Sequence, residues 1–153
     1  MTDMVVPVNR LYEEDFYAWV FKNVDLLKQR RFSETDMEHV IEELEDMGKS
    51  RERELENRLG VLVAHLLKWQ YQPQLRGNSW DCTIKEQRRK IERLLRKNPS
   101  LKNRLSDALL ESYGDAVLMA SRQSDIPLSM FPHDCPYSLE QILADSFLPD
   151  WPS

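Results

Sequence analysis

The residues best equipped for chemistry are the cations Lys85, Arg88, Arg89, Lys90, Arg93, Arg96 and Lys97, crowded into one short stretch. On an α-helix at about 100° per residue, with Lys85 as origin, Trp80, Ile84, Gln87, Ile91, Leu94 and Leu95 fall between about 180° and 280°. The cations spread over the opposite side. A cationic helix face of this kind binds phosphate, and Lys85, Arg89, Arg93 and Arg96 are the residues to which that reading assigns contacts. Glu86 and Glu92 weigh against it. They lie within the face, four residues before Lys90 and Arg96, where i,i+4 pairing dilutes the field. Apart from Trp80 no aromatic accompanies the cations, so there is no stacking platform for single strands. The plainer reading is the solvated side of an amphipathic helix.

A second constellation is the polar cluster His65, Lys68, Trp69, Gln87 and Arg88. His65 and Trp69 are i,i+4 neighbours on an apolar stripe, with Gln87 and Arg88 as possible partners from the basic helix. Such a histidine can act as a general base. It can equally be a hydrogen-bonded structural residue, because a buried polar group left unpaired costs about 1–3 kcal/mol. The acidic run Asp36, Glu38, His39, Glu42, Glu43, Glu45 and Asp46 offers one imperfect D-x-x-H. Di-iron bundles need E-x-x-H on two helices, so no metal or other cofactor is expected. His133-Asp134-Cys135 is too sparse for zinc. There is no P-loop, G-x-S-x-G, H-E-x-x-H or G-x-G-x-x-G. Cys82 and Cys135, far apart and without C-x-x-C spacing, read as reduced thiols of a cytoplasmic protein.

The elements that must hold these residues follow from the apolar period. Met37, Ile41, Leu44, Gly48, Arg51, Leu55, Arg58, Leu62, His65 and Trp69 succeed one another at steps of four and three, thickened by Val40, Met47, Leu59 and Leu66. That period belongs to a helix and predicts one spanning residues 36–72. Thr35-x-x-Glu38 fits a capping box at its start, and Pro73 ends it. Gly48 within it implies either a kink or the close approach of another backbone. A helix over 13–29 precedes it, with Phe16, Trp19, Val20, Val24 and Leu27 inward. Others follow over 80–97 and 101–122, the latter with Leu105, Leu109, Tyr113, Ala116 and Val117 inward. Five of the eight prolines lie in the last 27 residues, leaving one short helix over 139–144 capped by Ser138 with Gln141. The tail residues Ile126, Leu128, Met130, Phe131, Tyr137, Ile142, Leu143, Phe147, Leu148 and Trp151 need a surface to cover. The expected fold is an all-α bundle of about four main helices, the second much the longest, with a proline-rich C-terminal wrap. Residues 1–153 are read as a single domain whose first ten residues are flexible.

Charge is segregated. Residues 1–57 hold 8 basic and 15 acidic side chains, residues 76–104 hold 10 and 3, and residues 105–153 hold 1 and 8; with Arg58 and Lys68 between the first two segments the whole chain carries −5. The acidic flanks repel a polyanion, which disfavours a nucleic-acid partner. No apolar run reaches transmembrane length, and the start has neither a basic n-region nor an apolar run of signal length, so neither membrane insertion nor export is expected.

Several strings then carry a resemblance. Leu66-Leu67-Lys68-Trp69-Gln70-Tyr71-Gln72-Pro73, Ser79-Trp80, Gln87-Arg88, Asn98-Pro99-Ser100-Leu101, Phe131-Pro132, Cys135-Pro136-Tyr137 and Ile142-Leu143 follow in an order and spacing similar to the helical family catalogued as domain of unknown function 29. The resemblance spans about residues 11–149. It implies a small all-helical cytoplasmic protein of bacterial origin and supplies no activity or catalytic residue. The reading that follows is a non-enzymatic interaction or regulatory protein that self-associates as a homodimer and meets another protein partner. A helix of 37 residues would be about 55 Å long, too long for a domain of this size to cover alone. Nucleic-acid association through the basic helix 80–97 is the alternative, and an enzyme built around His65 the distant third.

Overall fold

The computed structural model describes residues 6–150. Among them there are six α-helices and no strand: α1 (Val8–Glu14), α2 (Phe16–Lys28), α3 (Met37–Tyr71), α4 (Asn78–Lys97), α5 (Leu105–Ser124) and α6 (Leu139–Leu143). The chain divides into two compact units, one ending at Lys49 and the other beginning at Ser50, so the division falls within α3. No helix among the described residues is long and apolar enough to cross a membrane.

In the first unit the expected helix over 13–29 is two helices. The break falls at Asp15, whose carboxylate accepts a hydrogen bond from the Ala18 amide and so caps α2. Of the expected flexible segment, Val8–Arg10 are helical and residues 1–5 lie outside the described residues. The inward face of α2 is Trp19, Asn23 and Leu26, while Phe16 is half exposed. Among the described residues of this unit, only Trp19 and Leu26 are buried apolar side chains. Polar ties do much of the work. Asn23 donates to the Trp19 carbonyl and accepts from the Asp36 amide. Thr35 directs its hydroxyl to the Arg31 carbonyl rather than into the capping box expected with Glu38.

The second unit has a conventional core. Leu55, Leu59, Leu62, Val63, Ala64, Leu66 and Leu67 of α3 are fully buried against Ile84, Ile91, Leu94 and Leu95 of α4. Helix α5 turns inward a face that overlaps the expected one, since Tyr113 and Ala116 are buried, but its centre is shifted toward smaller residues. Its buried stripe is Ala108, Ser112, Ala116 and Ala120, four residues apart, with Tyr113 beside it and Leu105, Leu109 and Val117 only partly covered. Small residues let the backbones approach: the position of a Cβ on Gly60 lies 3.8 Å from both the Cβ and the carbonyl oxygen of Ser112. After Asp125 ends α5 in the left-handed conformation, the tail lies against this core through Phe131, Tyr137 and Ile142. Leu128 and Met130 stay exposed, contrary to expectation, and Trp151 lies outside the described residues. Ser138 and Gln141 form the expected capping box on α6.

The helix runs through Gly48 without a break, and a Cβ there would meet nothing within 4 Å. Among the described residues of the chain, no other backbone closely approaches this glycine. Gly48→Ala should stabilise the chain by about 0.5–1 kcal/mol, the helix-propensity difference. Urea unfolding in dilute solution measures this, and a destabilised variant would show that the glycine answers a steric need.

Candidate functional site

The cationic face of α4 forms, but much of its charge is answered locally. Lys85 pairs with Asp81 at 2.8 Å, Lys90 with Glu86 at 2.7 Å and Arg96 with Glu92 at 4.0 Å, each at i,i+4 spacing. Lys85, Arg89 and Arg93 line one shallow depression of about 820 Å³ together with Glu86, Glu92 and Asp145, whereas Arg96 lies outside it. Arg89 and Arg93 are exposed and, among the described residues, have no carboxylate at ion-pair distance.

The polar cluster does not converge on one point. His65 Nδ1 lies 2.8 Å from the Val61 carbonyl one turn earlier, and burial pushes its pKa below the usual imidazole value. The proton on Nδ1 is committed to that carbonyl. Lys68 is buried, donates to Gln123 at 2.8 Å and lies over the Trp80 ring at 4.7 Å, with burial pushing its pKa down. Trp69 instead accepts at its carbonyl from Arg76, whose guanidinium stands 5.4 Å from the Trp69 ring. Gln87 accepts from Arg58 at 3.5 Å. These are separate local arrangements.

Arg88 is the exception to the basic face, since it points inward and is 4% exposed. It donates to four backbone carbonyls of the tail: Nε to Ile142 at 2.8 Å, Nη2 to Phe147 at 2.7 Å and Gln141 at 3.4 Å, and Nη1 to Asp145 at 3.3 Å. Two of these acceptors, on Gln141 and Ile142, belong to the last turn of α6, where the helix end favours a cation; the Gln141 carbonyl also accepts from the Ala144 amide at 3.3 Å. Its position at about 300° on the wheel, beside Leu95 at about 280°, is the signal for this inward aim. Two phenols fasten the same tail. Tyr113 donates to the Pro132 carbonyl and Tyr137 to Gln70, each at 2.6 Å, and burial raises both pKa values so that the hydroxyls remain donors.

In the first unit the acidic run yields a network. Asp36 Oδ2 accepts from the Trp19 indole at 2.9 Å and from His39 Nδ1 at 2.6 Å. The Tyr12 ring stacks on His39 with centroids 3.9 Å apart, and its hydroxyl donates to Glu43. No three His, Cys, Asp or Glu side chains among the described residues are grouped as a metal ion requires. Beyond this network the first half of α3 leaves an apolar face open: Met37 is 38% exposed, Ile41 54%, Leu44 60% and Met47 64%. These four fall within an arc of about 120°. Sequence periodicity located these residues but could not tell that they are exposed.

A family model described as "Domain of unknown function DUF29" matches residues 11–148. No curated protein and no solved structure matches the chain.

Two outcomes follow from this geometry. Arg88→Met should lower stability by at least about 2 kcal/mol, because it leaves the buried Ile142 carbonyl unpaired and releases the part-buried carbonyls of Asp145 and Phe147. Arg89→Met, at an exposed position, should change it by less than about 0.5 kcal/mol. Equal urea midpoints for the two variants would contradict the clamp. For the Asp36–His39 pair, the hydrogen bond to Asp36 raises the His39 pKa, with burial opposing and Asp36, Glu42 and Glu13 adding to the rise. Burial alone would raise Asp36, but hydrogen bonds from Trp19 and His39 outweigh it and hold the carboxyl below its usual range. The His39 contribution is therefore complete below its unfolded pKa of about 6.5 and is lost as pH rises through the folded value; that of Asp36 is complete above about 3.9 and is lost as pH falls through its own folded value. Stability of the first unit should peak between these limits. The Trp19 indole N–H resonance, followed in urea as a function of pH, measures it. His39→Gln should flatten the neutral limb and keep the acid limb.

Proposed function

This chain belongs to the DUF29 family, whose description names no activity, and we propose from its own surface that it is a non-enzymatic protein-interaction module that self-associates. The carrying observation is the open apolar face of Met37, Ile41, Leu44 and Met47 on a helix whose own unit has almost no apolar core. An exposed stripe of this kind is the signature of an interface, since each large apolar side chain gains about 1.5–3 kcal/mol on full burial. A second copy supplies a self-complementary stripe in a two-fold pairing. Glu38, Glu42, Glu45 and Asp46 accompany the stripe, so like charges oppose the association and keep it weak. Free Cys82 and Cys135 support a reducing, cytoplasmic setting.

Nucleic-acid binding along α4 ranks second, favoured by exposed Arg89 and Arg93 and weakened by the local pairing of Lys85, Lys90 and Arg96. An enzyme around His65 draws little support, given how its neighbours disperse.

Sedimentation equilibrium distinguishes these readings. The chain should dimerise in the micromolar range. Added salt should tighten the dimer by screening the acidic residues and strengthening apolar burial. Ile41→Glu with Leu44→Glu should abolish association while the helical circular dichroism is kept. A monomer at concentrations of tens of micromolar, or a dimer that salt dissolves, would refute the proposal.

A further inference from the structure

A second cationic surface, concave this time, lies in the unit that begins at Ser50, and it shares only Arg93 with the four contact residues read from the sequence. Between α3 and α4 a cleft of about 320 Å³ is lined by Arg51, Arg58, Lys90, Arg93, Lys97 and one carboxylate, Glu54. The three α4 cations are spaced at three and four residues, so they stand on successive turns of one face. Glu54 is already held by Arg58 at 3.1 Å, and Lys90 by Glu86 at 2.7 Å. Arg51, Arg93 and Lys97 have no carboxylate within 4.0 Å among the described residues.

Five cations facing one another across a cleft repel, and walls of low dielectric focus their field into the space between them. Buried Leu94 belongs to that wall. A bound multivalent anion relieves the repulsion. The chain's net charge of −5 does little to prevent this, because charges farther away than about 8–10 Å are screened at physiological salt. Three of the five cations are arginines, whose planar fork matches two oxygens of a phosphoryl group, whereas a lysine acts as a point charge. No aromatic side chain lines the cleft, so nothing there stacks on a base. The volume sits at the lower end for small-ligand pockets.

We propose that this cleft binds a small ligand carrying two or more adjacent phosphoryl groups, recognised by charge and by the arginine forks rather than by a base. Inorganic tripolyphosphate is the probe, titrated calorimetrically into the full chain at low salt. One saturable site per chain is expected, with orthophosphate much weaker. Arg51→Gln with Arg93→Gln, both at exposed positions, should weaken binding by at least about tenfold. Lys85→Gln with Arg96→Gln, also exposed but turned away from the cleft on α4, should change it less than about twofold. Absence of saturable binding, or equal losses in the two double variants, would overturn the site in favour of a diffuse field. A short DNA duplex that binds more tightly than tripolyphosphate and is lost with Arg51 and Arg93 would also overturn it, because the cleft would then read a nucleic-acid backbone.

Discussion

The second unit rests on one stretch of α3, Leu55 to Leu67, whose apolar side chains are buried on several sides at once. No single neighbour can bury so wide an arc. Helix α4 covers part of it with Ile84, Ile91, Leu94 and Leu95, α5 covers another part with a stripe of small residues, and the tail takes the rest with Phe131, Tyr137 and Ile142. The tail has too little regular structure to satisfy its own carbonyls, since α6 is only five residues long. Arg88 fills that need by placing one guanidinium against four of them. Burial of a charge is tolerable here because every guanidinium nitrogen meets an acceptor and the C-terminal end of α6 favours positive charge.

The same helix has the opposite character at its other end. In the first unit, polar ties among Asn23, Asp36, His39 and Trp19 stand where a larger unit would have packed side chains, and the apolar residues of α3 point outward. One apolar stripe thus has two characters along its length: a core from Leu55 onward and an open face from Met37 to Met47.

That division was only half legible in the amino-acid sequence. Periodicity located α3, α4 and α5, and local chemistry located the capping box of Ser138 and Gln141, because such signals act within a turn or two. The break at Asp15 was missed because its cap interrupts an otherwise continuous helical pattern. The inward face of α5 was placed only in part, with Tyr113 and Ala116 buried as expected: hydrophobic patterning counts large side chains and passes over small ones such as Ser112, which lies opposite Gly60. The candidate site suffered most. The basic helix was visible as a run of charges, but the inward turn of Arg88 and the cleft that Arg51 and Arg58 share with α4 depend on how two helices meet. Whether an apolar stripe is covered is likewise a property of the assembled chain.

The central claim is that the first half of α3 offers an interface and the second half a core. Hydrogen exchange read by mass spectrometry on peptides from α3, at dilute and concentrated protein, tests it most directly. Amides over 55–67 should be strongly protected at both concentrations. Those over 37–47 should exchange faster in dilute protein and gain protection as concentration rises. Exchange over 37–47 that ignores concentration, or that is as slow in dilute protein as exchange over 55–67, would contradict the account.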